Sequence, residues 1–422
     1  MSLRVPIEPL EYRSGALFFD GFSLESLAEN HGTPLYVYSA GAVRSRLAAY
    51  RAGIGQRRHQ ICYAMKANGN LGLLGVLARE NCGVDIVSGG ELFRALRAGI
   101  SPERIVFSGV GKSATEMVEG LENEIHLFVV ESGAELHLLS QVASARGQVA
   151  RVSVRVNPDV DAGTHPYIAT GLRENKFGID HEEVLATYRL IQELPGLEAR
   201  GIGFHIGSQL TDLDGFREAA RRIRDLIEAL RVDPGVVLSH VDVGGGLGIR
   251  YASEEPPSPE DYARLLCEEL PYPEMTLVFE PGRNLVGNAG ILISRILFRK
   301  QNGAKVFLIA DAAMNDLIRP SLYGAYHEIW PAIRERMVHP ISGADLVGPV
   351  CESGDFLARD RELPDLQAGD LVALASAGAY GFVMSSNYNA RLRPAEVLID
   401  GGEARLVRAR ESYDDLVRLE TL

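Results

Sequence analysis

"QICYAMKANGN", residues 60–70, is the stretch on which the reading of this chain turns. It is an apolar run of strand length that closes on Lys66 and gives way to asparagines and a glycine. An ammonium at the end of a buried strand loses hydration unless its pKa falls or it becomes covalently neutralised. A desolvated lysine has a free lone pair and can hold an aldehyde cofactor as a Schiff base. The alternative is a lysine that lays its stem along the strand end and keeps its charge in water.

Outward from that stretch a rhythm sets in. Eight short apolar runs alternate with helix-like segments: "ICYAMKAN" (61–68), "VDIVSGG" (84–90), "IVFSG" (105–109), "LFVVES" (127–132), "VSVRVNP" (152–158), "GIGFHIGS" (201–208), "VDVGGG" (241–246) and "TLVFEPGR" (276–283). Near-continuous apolar strands separated by helices predict a parallel sheet covered on both faces, and eight such units fit an α/β (β/α)8 barrel of the TIM type. An open doubly wound sheet is the structural alternative. Barrel enzymes place their chemistry at the carboxyl ends of the strands. Here those ends carry Lys66 and Asn68, Asp85 and Ser88, Ser108, Glu131 and Ser132, Arg155 and Asn157, His205 and Ser208, Gly244 to Gly246, and Glu280 with Arg283.

The flanks read differently. Residues 1–33 form an irregular arm, "PLYVYS" (34–39) a short strand and 40–53 an amphipathic helix, so the barrel is expected over 34–283. From 284 to 422 the runs "GILISRILF", "AKVFLIAD", "DLVALASAG" and "AEVLIDGGEARLVRARE" predict a C-terminal all-β domain, which the N-terminal arm could join.

Composition narrows the function. At 422 residues, 46% hydrophobic and 23% charged, the chain has length for two domains and no disordered character. A formal net charge of -13 argues against nucleic acid or an anionic membrane as partner. Cys62, Cys82, Cys267 and Cys351 are far apart with no CxxC pair, which suggests no zinc site and no disulfide framework. "MSLRVPIEPLEYRSG" (1–15) has no apolar h-region and no apolar run reaches spanning length, so neither export nor a membrane span is expected and a cytoplasmic protein is.

Two glycine motifs are set aside. "GVGKS" (109–113) lacks the first glycine of a P-loop, since Val106 stands there, and "GGGLGI" (244–249) puts Ile249 where a dinucleotide fingerprint needs glycine. The latter run can still bring backbone N–H groups to a phosphate after the seventh strand, or serve only as a tight turn.

Seven motifs in order, "YAMKAN", "HIGSQ", "GGGLG", "EPGR", "DAAMNDLIRPSLYGAYH" (311–327), "CESGD" (351–355) and "GAYGFVMSSNYN" (378–389), resemble those of the diaminopimelate decarboxylases. These belong to the alanine racemase-like, fold type III pyridoxal-phosphate enzymes. The resemblance runs from about residue 34 to "RPAEVLIDG" near 400, with one departure at Ala313, where glycine is more usual. It implies pyridoxal 5'-phosphate on Lys66, His205 stacked on the ring, Glu280 at the ring nitrogen and Asp85 near the lysine. It also implies a phosphate shared by Ser208, Gly245, Gly246, the loop around Gly282 with Arg283, and Tyr380. Arg283 and Arg319 would take the distal substrate carboxylate, helped by Tyr323, Tyr380 and Glu352, because a guanidinium matches a carboxylate with paired, charge-assisted bonds. Cys351 would donate a proton from the partner subunit of a homodimer with shared sites. The implied reaction is decarboxylation of meso-2,6-diaminopimelate to L-lysine, the last step of lysine biosynthesis. A decarboxylase of ornithine, arginine or carboxynorspermidine, or a silent homologue that acts by binding a partner, stays open.

Overall fold

The structure is a computed structural model that describes residues 6–160 and 176–422. The chain divides into two compact units, one made of Arg46–Ile249 with Glu255–Asn284, the other of Met1–Ser45, Arg250–Glu254 and Leu285–Leu422.

The first unit is a closed barrel of eight parallel strands: β1 (His59–Ala64), β2 (Gly83–Ile86), β3 (Ile105–Phe107), β4 (Leu127–Val130), β5 (Ala150–Asn157), β6 (Leu197–Phe204), β7 (His240–Asp242) and β8 (Thr276–Phe279). Each strand pairs with the next, and β8 returns to β1 through Leu277, Val278 and Phe279 against His59, Gln60 and Ile61. Every apolar run read above supplies one strand. Cys62, Val106, Leu127, Val129 and Val278 form a common buried cluster. Side chains alternate along a strand, so the residue two places on shares the same face. That parity puts Ser108 above Val106, Glu131 above Val129 and Glu280 above Val278.

Not every polar strand end serves the site. The Ser88 and Ser132 hydroxyls cap the following helices by accepting from Glu91 and Glu135 N–H, which leaves them a folding role. Lys112 of the discarded "GVGKS" motif is buried and donates to Glu135 Oε1 at 2.6 Å and to the carbonyls of Val129 and Gly109 at 2.6 and 2.8 Å.

The second unit is mostly sheet. Its long path runs Phe356–Leu363, Ile341–Val347, Lys305–Ala310, Gly290–Asn302, Leu35–Ser39, Ala395–Asp400, Glu403–Arg408. The placement of Leu35–Ser39 corrects the expected start of the barrel. This strand lies between Gly290–Asn302 and Ala395–Asp400, and the Tyr36 and Tyr38 hydroxyls bond the Asp316 carbonyl and Glu396 Oε1. Nor is the arm irregular: Leu10–Arg13, Ala16–Phe19 and Phe22–Ser23 form a small antiparallel sheet. Leu10, Leu17 and Phe19 share a core with Val37, Ile291, Trp330 and Val397, each large side chain contributing about 1.5–3 kcal/mol by leaving water. No helix among the described residues is long and apolar enough to cross a membrane.

Candidate active site

Lys66 stands in a single 3-10 turn, Met65–Ala67, that follows β1 directly. Its side chain is 42% exposed where it lines a cavity, so it is not the buried strand-end lysine that the sequence predicts. A carboxylate orients it instead: Lys66 Nζ lies 3.2 Å from Oδ2 of the fully buried Asp85. Asp85 pairs in register with Ala64 on the neighbouring strand, which brings the two together. The other Asp85 oxygen, Oδ1, is shielded from solvent and has no partner.

Lys66, Asp85, Arg155, His205, Asp242 and Glu280 line one cavity at this end of the barrel. Glu280 and Asp242 are hydrogen-bonded carboxyls. Burial pushes Asp242 up to about 6 despite its bonds from Glu280 and the Gly244 N–H, while burial and the charges of Asp242 and Asp85 push Glu280 well above the ordinary range. The pair therefore retains a proton near neutrality. Glu280 Oε1 is shielded and unpartnered. His205 is held well below the usual histidine range by burial and by the nearby Arg155 and Lys66 charges, so its ring is neutral. Its Nδ1 accepts from the Gly245 N–H at 3.2 Å.

The glycine run has a steric reason. A Cβ on Gly245 would sit 2.2 Å from the Glu280 carbonyl oxygen, and Gly246 has φ +113. Beside it, Arg283 Nη2 donates to Ser208 Oγ at 3.0 Å. Gly282 packs its Cα against Ala64 and Ala67, next to Lys66.

The remaining expected residues belong to the second unit. Arg319 is buried; its Nη1 donates to His327 Nε2 at 2.9 Å and its guanidinium lies over the Tyr251 ring at 4.7 Å. Tyr323 ends the same short helix, Arg319–Tyr323, and is partly buried. Cys351 and Glu352 are exposed, and Tyr380 adopts φ 56, a rare backbone state for a bulky residue. Three contacts draw the motifs of this unit together: Asp355 accepts from Met314 and Val350 N–H at 2.7 Å, and Asn389 Oδ1 from Cys351 N–H at 2.8 Å.

Residues 40–287 match the family model of the pyridoxal-dependent decarboxylase pyridoxal binding domain. The chain is 51% identical to the diaminopimelate decarboxylase of Pseudomonas aeruginosa, over 99% of both chains, and 49% identical to that of Aquifex aeolicus, over 97% of this chain and 96% of the other. The chain belongs to the diaminopimelate decarboxylase family. The crystal structure of the Helicobacter pylori diaminopimelate decarboxylase complexed with L-lysine superposes with a TM-score of 0.89 at 43% identity, covering 94% of this chain and 98% of that one.

Against a diaminopimelate decarboxylase background, four residues of the two units stand out that motif reading passed over. Asp242 was hidden in "VDVGGG", where the glycines drew attention, and Tyr251 in a stretch without pattern. His327 closes a motif read for its arginine and tyrosine. Arg155 was visible as a strand-end charge, but its influence on His205 depends on the register in which their two strands pair.

Proposed function

We propose that the protein is a pyridoxal-phosphate-dependent decarboxylase that converts meso-2,6-diaminopimelate to L-lysine and carbon dioxide in the cytoplasm, at the end of lysine biosynthesis. The observation that carries this reading is the solvent-shielded, unpartnered Glu280 Oε1 in the cavity that Lys66, Asp85 and His205 also line. A buried acceptor left without a donor costs about 1–3 kcal/mol, and a protonated ring nitrogen would satisfy it.

The residues present fit the cofactor. Lys66 Nζ would hold its aldehyde carbon, His205 the ring face, Glu280 the ring nitrogen, and Ser208, Gly245, Gly246, Gly282 with Arg283, and Tyr380 the phosphate. When bound, the protonated pyridoxal ring supplies an electron sink for the pair left behind by departing carbon dioxide. Glu280 keeps the proton on the ring nitrogen. Asp85 Oδ2, 3.2 Å from Lys66 Nζ, orients that nitrogen in the cavity. His205, neutral and tied to the Gly245 N–H, offers an uncharged ring face that neither competes for the phosphate nor titrates in the working range.

On the substrate side, Arg319 and Arg283 take the distal carboxylate, Tyr323 and Tyr380 add hydroxyl donors and Glu352 accepts from the distal ammonium. Cys351 Sγ returns the proton to the substrate carbon. As Cys351 and Glu352 are exposed on their own chain, they are assigned to the site of a partner in a two-fold homodimer.

Two measurements test this. Borohydride reduction of the purified protein should fix the cofactor on the peptide that contains Lys66. Carbon dioxide release from meso-diaminopimelate, ornithine, arginine and lysine should occur with the first alone, one L-lysine appearing per carbon dioxide. Label on another peptide would refute the cofactor assignment, and faster turnover of ornithine or arginine would refute the substrate.

A further inference from the structure

The arginine assigned to the distal carboxylate is held on two sides by residues with no role in the reaction described above. Arg319, His327 and Tyr251 are all buried. His327 Nδ1 lies 2.8 Å from the Ala375 carbonyl oxygen and Nε2 lies 2.9 Å from Arg319 Nη1. A carbonyl oxygen can only accept and a guanidinium can only donate. One state of the imidazole satisfies both contacts: the neutral ring with its proton on Nδ1 and its lone pair on Nε2. A protonated ring would set donor against donor and charge against charge.

Tyr251 controls the remaining freedom. Its ring lies under the Arg319 guanidinium at 4.7 Å and meets the His327 ring edge to face at 5.5 Å and 84°. One neighbour thus fixes the guanidinium in its plane and the other fixes the tilt of that plane. The histidine is braced in turn, since Arg361 donates to its carbonyl oxygen at 2.8 Å and lies over the adjacent Tyr326 ring at 3.7 Å. Residues 250–254 leave the barrel's sequence span to join the second unit, and Tyr251 is the aromatic they contribute.

We infer that His327, as the neutral Nδ1–H tautomer, and Tyr251 are positioning residues that pre-orient Arg319 and so set the preference for substrates with a distal carboxylate. Lysine and arginine side chains carry about 2 kcal/mol of rotamer entropy, and a fork held in one orientation before the ligand arrives loses less of it on binding. The inference rests on the proposed reading of Arg319.

The product supplies the test. L-Lysine keeps the distal carboxylate of diaminopimelate, and cadaverine is the same chain without it. The ratio of their inhibition constants against the holoenzyme therefore reads the carboxylate contact and cancels the rest of the site. In Arg319→Ala the preference for lysine should collapse. His327→Leu, which has no acceptor, should lower it on the order of tenfold, and Tyr251→Leu by roughly threefold, while His327→Gln and Tyr251→Phe keep most of it. In the Leu variants KM for diaminopimelate should rise by more than kcat falls.

The outcomes separate. A preference unchanged in the Leu variants but lost in Arg319→Ala overturns this inference alone. A preference unchanged in Arg319→Ala overturns the carboxylate reading and the inference with it. Equal weakening of lysine and cadaverine would make His327 and Tyr251 packing residues only. Should His327→Leu fail to fold, Tyr251→Leu against Tyr251→Phe and His327→Gln against the parent give the same discrimination.

Discussion

In the barrel unit, Asp85 and Asp242 project from strands whose register fixes them and Glu280 directly follows a third, its N–H bonded to the Gly244 carbonyl, whereas Cys351, Glu352 and Tyr380 of the sheet unit lie on loops outside any strand. Asp85 and Asp242 are buried, and burial raises Asp242 and Glu280 above the ordinary carboxylate range; the loop-held thiol and carboxylate are exposed. Strands can hold polar atoms without partners because the ladder supplies the rigidity. A loop must be tied by its own side chains, as Asp355 and Asn389 tie "CESGD". The barrel carboxyls are thus tuned by their surroundings, whereas the loop thiol and carboxylate face solvent on their own chain.

The largest effect expected from this contrast concerns the partner subunit. Lys66→Ala removes the amine of the barrel half and Cys351→Ala the acid of the loop half, and each protein alone should be nearly inactive, by several orders of magnitude and by about a hundredfold or more respectively. In a mixed dimer with shared sites, one site collects both defects and the other neither. Random equal mixing should restore about a quarter of parent activity, since half of the dimers are mixed and each has one intact site of two. No recovery, with mixed dimers verified by mass spectrometry, would return Cys351 to its own chain.

A smaller effect contrasts how the two halves are braced. Lys112 is 1% exposed and neutralises the buried Glu135. Lys112→Met strands that carboxylate in the barrel and should lower stability by about 3–5 kcal/mol, seen as a lower unfolding midpoint. Asn389 is exposed, and Asn389→Ala should change stability by no more than about 0.5 kcal/mol while altering the alkylation rate of Cys351, whose N–H it accepts. Equal stability losses in both variants would erase the proposed difference between strand-held and loop-tied groups.

The same contrast explains what could be read in advance. Parallel strands buried on both faces announce themselves as apolar runs, so all eight barrel strands were legible, and with them the residues at their ends. Leu35–Ser39 looks the same but pairs with residues 290–293 and 395–399, and a local pattern carries no information about so distant a partner. The exposure of Lys66 was not legible, because its strand stops at Ala64 and Lys66 falls in the 3-10 turn that follows. In the sheet unit only family motifs marked the candidate residues. Loop residues have no periodicity to read, and the ties made by Asn389 and His327 appear only once the loops meet.

The smallest expected effect tests the buried carboxyl pair. Asp242 has a folded pKa of about 6 against 3.8 for a free aspartate, so its neutral form favours the folded chain. That contribution is whole below pH about 4 and is lost as pH rises through 6, and the still higher Glu280 extends the loss upward. Charged neighbours on other strands share the field: Lys66 and Asp85 face Glu280, and Asp85 and Arg155 face Asp242. Other groups slope the opposite way, as His126, depressed to about 4 by burial and by His240, loses its contribution as pH falls. The useful quantity is therefore a difference. Asp242→Asn cannot ionise, and its amide can donate to the Glu280 carboxylate and lower that group's pKa. In the cofactor-free full-length protein, the unfolding midpoint of Asp242→Asn relative to the parent should climb by about a degree or two between pH 4 and pH 7. Asp85→Asn, which lies beside the pair but is assigned to Lys66, should show a shallower climb. A flat difference for Asp242→Asn would mean that the two carboxyls do not share a proton, and the strand-held half of the site would lose the property that distinguishes it from the loops.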